Sequence, residues 1–313
     1  MGKIAFIFSG QGAQYPGMGR QIVEAYPASA CIYDTASEAL GIDIRKMIFE
    51  GTEDTLKITE NTQPAILTMS IACLQPVISA GISPDVVAGL SLGEYTALVA
   101  AHVIDFKDAV KIVRRRGKYM QEAVPVGVGA MAAILGLDGQ LIAECCRSAS
   151  DEGVVEPANY NCPGQVVISG EVKAVEKAMS ICSEKGAKRT TMLQVSAPFH
   201  CSLMKPAGAR LKEDLEKVAF SDPRLPVISN VTATYITNGK ESEELLVKQV
   251  SSPVLWESTI DKMVSAGVDT FIEIGPGKVL CGFVKKISKE ARAFNVEDID
   301  SLNKTLFELK GGV

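Results

Sequence analysis

Ser91 stands in Gly89-Leu90-Ser91-Leu92-Gly93, between a short apolar run that reads as a strand, Asp85 to Leu90, and one that reads as a helix, Leu92 to Val103. A G-x-S-x-G is weak alone and gains value at a strand-to-helix turn, where the glycines relieve crowding and the serine projects from the strand end. The backbone N–H of Leu92, at the helix start, can then face a developing oxyanion. A plain Gly-Ser turn capping a helix would use the same residues.

A nucleophilic serine needs a base, and the chain has two histidines. His102 falls on the same expected helix as Ser91, roughly 16 Å along it at about 1.5 Å per residue, so a structural role is expected. His200, in Val195-Ser196-Ala197-Pro198-Phe199-His200-Cys201, follows a strand and a proline turn and is well placed for a site. The acids between Ser91 and His200 fall mainly on helix surfaces. The partner of the imidazole therefore stays open among an acid, an amide and a backbone carbonyl.

Arg114-Arg115-Arg116 divides by helical spacing. Ala109, Ile112, Val113, Tyr119, Met120 and Ala123 form an apolar stripe that includes Arg116, while Lys111, Arg114, Arg115 and Lys118 face the other way, toward solvent. An inward guanidinium must be paired, either by an internal carboxylate or by a carboxylate on a substrate. Gly10-Gln11-Gly12-Ala13-Gln14 follows the first strand but fails the dinucleotide fingerprint, since Tyr15 stands where its third glycine would be. Gly275-Pro276-Gly277-Lys278 fails the P-loop, because position 272 is isoleucine. Gly10-Gln11-Gly12 does suit a tight loop whose N–H groups reach a site at the strand's end.

The elements that must hold these residues alternate. Residues 3–8 read as a buried strand, 20–40 as helix and 64–80 as a second helix with Pro64 at its start and Gly81 at its end. This is an α/β pattern with a mostly parallel sheet. The middle changes: strand 131–137, helix 138–149, strands 154–160 and 165–169, helix 172–185 and strand 188–193. That β-α-β-β-α-β order is that of a ferredoxin-like unit. We therefore expect an inserted small domain over 127–194, within an α/β domain of 1–126 and 195–313 that has further strands at 225–230 and 270–274.

Composition narrows the class. The chain has 313 residues, 47% of them hydrophobic, and a net charge of −5, which argues against a nucleic-acid binder. The most apolar stretch, Asp85 to Ile104, is broken by Glu94 and His102, so no membrane span is expected. Lys3 to Phe8 enters a strand at once, without the pattern of a signal peptide, and a cytoplasmic location is expected. Eight dispersed cysteines with no CxxC spacing read as reduced thiols and offer no zinc site.

Together these residues resemble the malonyl-CoA:acyl carrier protein transacylases of fatty-acid synthesis. The resemblance runs through Phe8 to Gln14, Gly89 to Tyr95, Arg116 to Gln121 and Gly129 to Ala133. It continues through Asn159-Tyr160-Asn161 with Pro163-Gly164-Gln165, then Pro198-Phe199-His200, and finally Glu273 to Leu280. It implies an α/β-hydrolase-like large subdomain with a ferredoxin-like insert. It also implies Ser91 as nucleophile, His200 as base, Arg116 as binder of the malonyl carboxylate, and the N–H groups of Gln11 and Leu92 as oxyanion hole. Gln249 matches the position that helps orient the histidine, and Asn161 a substrate-binding position. Phe199 resembles the malonyl-selective pattern. Leu90 departs from the histidine that many members carry before the serine, which bears on the tuning of the pocket.

The implied reaction is ping-pong transfer of malonyl from malonyl-CoA to the phosphopantetheine thiol of acyl carrier protein, with no metal or redox cofactor. Lys285, Lys286 and Lys289 are candidates for contact with the acidic carrier. A serine esterase or thioesterase, an acyltransferase of a polyketide pathway, and a carrier-binding scaffold without activity are the rivals.

Overall fold

A computed structural model of the chain describes residues 2–125, 127–195 and 197–310. The expected boundaries at 1, 126 and 313, and Ser196 in the histidine segment, lie outside the described residues.

Strand β1 (Lys3–Phe8) opens the chain and leads to α1 (Arg20–Ala25), α2 (Pro27–Leu40), α3 (Ile44–Glu50), α4 (Glu53–Lys57) and α5 (Thr59–Ser79). The single helix expected over 20–40 is two, because Pro27 takes the first position of α2 and extended Tyr26 separates them. Helix α5 begins at Thr59, five residues before the expected start. Pro64 forfeits one hydrogen bond inside a helix that is buried nearly all round.

Strand β2 (Val86–Gly89) runs into α6 (Leu92–Ala100), followed by α7 (Phe106–Glu122). After the middle segment come α10 (Lys205–Leu215), α11 (Gly239–Gln249), α12 (Trp256–Ser265), β7 (Val268–Ile274), α13 (Val279–Ile287), β8 (Arg292–Val296) and α14 (Ile299–Leu309). The middle segment itself is β3 (Gly129–Leu135), α8 (Gly139–Ser148), β4 (Val155–Cys162), β5 (Gln165–Glu171), α9 (Val172–Glu184) and β6 (Arg189–Met192).

Two sheets result. One is parallel in the order β2-β1-β7-β8, the other antiparallel in the order β4-β5-β3-β6. The strand expected at 225–230 contributes only isolated bridges, Val227 to Val87 and Ile228 to Tyr235, since Pro226 has no N–H to continue a ladder.

In the parallel sheet Phe8 pairs with both Gly89 and Ile274, so β1, β2 and β7 end at one level. Their following loops emerge side by side at the carboxyl edge, the place where open α/β sheets bind ligands. The small sheet closes over this edge. Tyr160 and Val254 hold it through backbone bonds at 2.9 Å and 2.8 Å, the second from Val254 N–H to the Ala158 carbonyl. Among the described residues no helix is long and apolar enough to cross a membrane.

Candidate active site

The turn from β2 to α6 forces its sequence. Ser91 has φ 54° and ψ −105°, a conformation that costs a non-glycine residue roughly 1–3 kcal/mol. A Cβ on Gly89 would collide with the backbone of Gly93, and one on Gly93 with the Phe8 carbonyl. Both glycines are therefore needed for α6 to start against the ends of β1 and β2.

The result is a half-buried hydroxyl on a buried frame. Ser91 Oγ lies 2.7 Å from His200 Nε2, and His200 Nδ1 lies 2.8 Å from the backbone carbonyl of Gln249. A carbonyl only accepts, so Nδ1 carries the hydrogen and Nε2 is free to take the serine's proton. Burial, and then the nearby Arg116 guanidinium, lower the His200 pKa to about 4, so the imidazole is a neutral base near pH 7. No acid is needed beside it.

His102 is exposed and lies past the end of α6, in a turn with φ 58°, rather than on the helix. It takes no part in the site.

Arg116 is 1% exposed, as the apolar stripe required. Its partners within the chain are two side-chain amides and a hydroxyl. Nη1 donates to Gln63 Oε1 at 2.9 Å, and Nη2 to Gln249 Oε1 at 2.9 Å and Ser91 Oγ at 3.1 Å. The guanidinium carbon sits 5.5 Å from the centre of the Tyr95 ring. Among the described residues no carboxylate lies within 4.0 Å of its nitrogens, whereas Arg114 pairs with Glu60 and Arg115 with Asp214. Arg115 lies on the expected solvated face, although its partner Asp214 is buried and also accepts from the Tyr119 hydroxyl. Gly117 lets α7 approach α5, for a Cβ there would press on the Thr59 carbonyl at 2.5 Å.

Three residues that the sequence did not single out complete the frame. Asn230 Oδ1 accepts the Ser91 N–H at 2.6 Å, and its Nδ2 donates to the Gly89 carbonyl at 2.7 Å. Gln63, the second, is a polar residue on the otherwise buried α5. Glu94, the third and 1% exposed, accepts from Gln249 Nε2 at 2.6 Å and from the Asn230 N–H at 3.2 Å. Burial pushes its carboxyl up to about 7, against the pull of those bonds and of Arg116.

Ser91, His200, Arg116 and Gln63 border a cavity of about 670 Å³. Ser9 to Gln14, Leu90 and Ser91 line it from the parallel sheet, Met131, Asn159, Asn161 and Val167 from the small one, and Phe199 and His200 from the returning chain. Gln11 borders the cavity with its side chain on Thr59. Leu92 is the first residue of α6, so the helix itself leaves its N–H without a partner. Gln249 lies behind the wall, holding His200 by its backbone and Arg116 by its side chain. Lys285, Lys286 and Lys289 are exposed on and just after α13, and Lys286 reaches Gln165 of the small sheet at 3.3 Å.

Residues 5–304 match the model of the family described as the acyl transferase domain. The chain is 49% identical over 311 residues to the malonyl CoA-acyl carrier protein transacylase of Bacillus subtilis, covering 99% of this chain and 98% of that one. A crystal structure of the Clostridium perfringens malonyl CoA-acyl carrier protein transacylase superposes with a TM-score of 0.95 at 47% identity, over 98% of this chain and 97% of the other. A further solved structure holds a type II polyketide acyl-carrier protein in complex with its malonyl-transacylase. It matches with a TM-score of 0.95 at 43% identity, over 98% and 99%.

Proposed function

Because the chain belongs to the acyl transferase domain family and to its malonyl CoA-acyl carrier protein transacylases, we propose that Ser91 carries malonyl from malonyl-CoA to an acyl carrier protein. The protein is an acyltransferase. His200 Nε2 takes the hydroxyl proton as Ser91 Oγ attacks the thioester carbonyl. The oxyanion forms against the N–H groups of Gln11 and Leu92. The C–S bond breaks, and coenzyme A leaves with the proton returned by His200. In the second half the phosphopantetheine thiol gives its proton to His200 and attacks malonyl-Ser91, and Ser91 leaves reprotonated. Every proton is accounted for without a metal or redox cofactor.

The observation that carries the substrate class is Arg116, buried 3.1 Å from the Ser91 hydroxyl and held by amide oxygens. A carboxylate outcompetes neutral amides for a guanidinium, so a malonyl carboxylate can replace them while its thioester carbonyl meets Ser91. A thioesterase of plain acyl groups has no use for such a cation. Phe199 fills the wall beside His200 and leaves less room for a branched malonyl. Asn161 faces the cavity from the small sheet, toward the pantetheine arm.

We read 1–126 with 195–313 as an α/β-hydrolase-like subdomain and 127–194 as its ferredoxin-like insert. The sheet order β4-β5-β3-β6 supports the insert, and the serine turn at the parallel sheet's edge supports the large unit. In this reading the enzyme supplies fatty-acid elongation in the cytoplasm, and Lys285, Lys286 and Lys289 meet the carrier.

The test is transfer of labelled malonyl, methylmalonyl and acetyl groups from coenzyme A, with and without a holo fatty-acid carrier protein. Malonyl transfer that depends on the carrier is expected. Carrier-independent hydrolysis at comparable speed would make the protein a thioesterase.

A further inference from the structure

The geometry points to Glu94 as the positioning residue that holds the nucleophile's backbone and the substrate-binding arginine in register. This inference rests on Ser91 being the residue that is acylated.

Ser91 is clamped at both backbone groups. Its N–H donates to Asn230 Oδ1 at 2.6 Å, and its carbonyl accepts from Gln249 Nε2 at 2.9 Å. The two clamps come from different parts of the chain: Gln249 ends α11, and Asn230 follows the Val227 bridge. They meet at one atom. Glu94 Oε2 accepts from Asn230 N–H at 3.2 Å and from Gln249 Nε2 at 2.6 Å. Glu94 lies in the first turn of α6, directly after the strained serine, so the carboxylate is fixed to the same turn that the clamps restrain.

The carboxylate also sets the polarity of the Gln249 amide. With Nε2 on Glu94 and on the Ser91 carbonyl, Oε1 faces Arg116 Nη2 at 2.9 Å. A flipped amide would oppose oxygen to oxygen at Glu94 and at Ser91, and donor to donor at Arg116. Without an acceptor at position 94, only the Ser91 carbonyl would hold Nε2, and the amide could turn. Arg116, Ser91 and, through the Gln249 backbone, His200 would then lose a common reference. Glu94 does not border the cavity and touches no substrate; it acts through Gln249 and Asn230.

The experiment compares Glu94→Ala, Glu94→Asp and Glu94→Gln in the full chain. It reads melting temperature, the rate of Ser91 acylation at saturating malonyl-CoA by quenched intact mass, and the malonyl-CoA concentration at half-maximal rate. An ångström-scale loss of alignment costs about 100-fold, so Glu94→Ala should acylate about 100-fold more slowly per folded molecule, with a smaller change in half-saturation. Glu94→Asp, whose acceptor is withdrawn by one methylene, should resemble Ala. Glu94→Gln keeps an oxygen that can accept both N–H groups and should recover to within about tenfold of the parent.

A folded Ala or Asp variant acylating at the parental rate would overturn the inference, as would a Gln variant as slow as Ala. Where Ala does not fold, the Asp and Gln pair decides in the same way. A purely structural residue would shift the melting temperature and leave the rate per folded molecule unchanged. A parent chain that takes no malonyl at Ser91 would instead overturn the functional reading.

Discussion

The cavity's two walls are built differently. On the parallel-sheet side Ser91, His200, Arg116, Gln249, Asn230 and Glu94 form one hydrogen-bonded frame in which the histidine, the arginine and the serine backbone each have at least one partner within 3.1 Å. On the other side the small sheet presents Met131 and Val167 with two asparagines, Asn159 and Asn161. A dense polar frame fixes atoms to the tolerance that bond making needs, while an apolar wall with a few amides bounds a flexible arm. In the proposed reaction the first wall does the chemistry and the second bounds the acyl carrier arm. Substitutions on the first should change turnover, and those on the second affinity.

The largest break in that comparison should come from the base. His200→Ala should lower malonyl transfer by about three or more orders of magnitude, while His102→Ala, in an exposed turn, should leave it unchanged. Equal losses in steady-state assays would contradict the division of roles between the two histidines.

Arg116→Ala should rank next. Removing one partner of a desolvated charge pair costs roughly 2–5 kcal/mol, so malonyl transfer should fall about 30- to 5,000-fold. Acetyl-CoA brings no carboxylate, and its transfer should persist or improve relative to malonyl. Parallel loss of both activities in a folded variant would mark Arg116 as structural only.

The pH profile sharpens the same wall. With the His200 pKa lowered to about 4, kcat/KM should change by less than about tenfold as the Glu94 carboxyl takes up its proton near pH 7, since a neutral group there still offers an acceptor oxygen. It should fall steeply only as the imidazole protonates near pH 4. Arg116 repels the imidazolium and so contributes to that lowering. In Arg116→Ala, followed by acetyl transfer, the acid limb should therefore move up toward the ordinary value of about 6.5. An unmoved limb would show that burial alone sets the pKa.

Asn161→Ala should have the smallest effect, as the comparison demands of the small-sheet wall. Loss of one uncharged hydrogen bond of about 1 kcal/mol predicts a KM for malonyl-CoA about fivefold higher with kcat held. A fall in kcat instead would place Asn161 with the chemistry.

The sequence made the reacting groups legible because each occupies a local pattern. Ser91 stands between a strand and a helix, His200 is the histidine left after helical distance removes His102, and Arg116 interrupts an apolar stripe. The frame behind them was not legible by these means. Asn230 ends a segment that reads as a strand but forms only isolated bridges, and its partner, the Ser91 N–H, is far away in the chain. Glu94 sits inside the quoted motif, yet its spacing on α6 reads only as a polar residue near a helix start. Its significance comes from Asn230 and Gln249 arriving from elsewhere.

Arg116 shows the same limit. Periodicity placed it inward, but its neutral partners Gln63 and Gln249 depend on where α5 and the end of α11 come to lie beside it. The element limits moved for local reasons, with Pro27 dividing one expected helix and Pro226 stopping one expected strand.

Everything assigned to the polar wall depends on the acyl group passing through the Ser91 hydroxyl. The chain and its Ser91→Ala variant, each incubated with malonyl-CoA in the absence of carrier protein, should be compared by intact mass and peptide mapping. The account predicts one malonyl adduct on the parent, located at Ser91 and discharged by holo carrier protein, and none on the variant. A malonyl adduct retained by Ser91→Ala, at Cys201 or elsewhere, would contradict it.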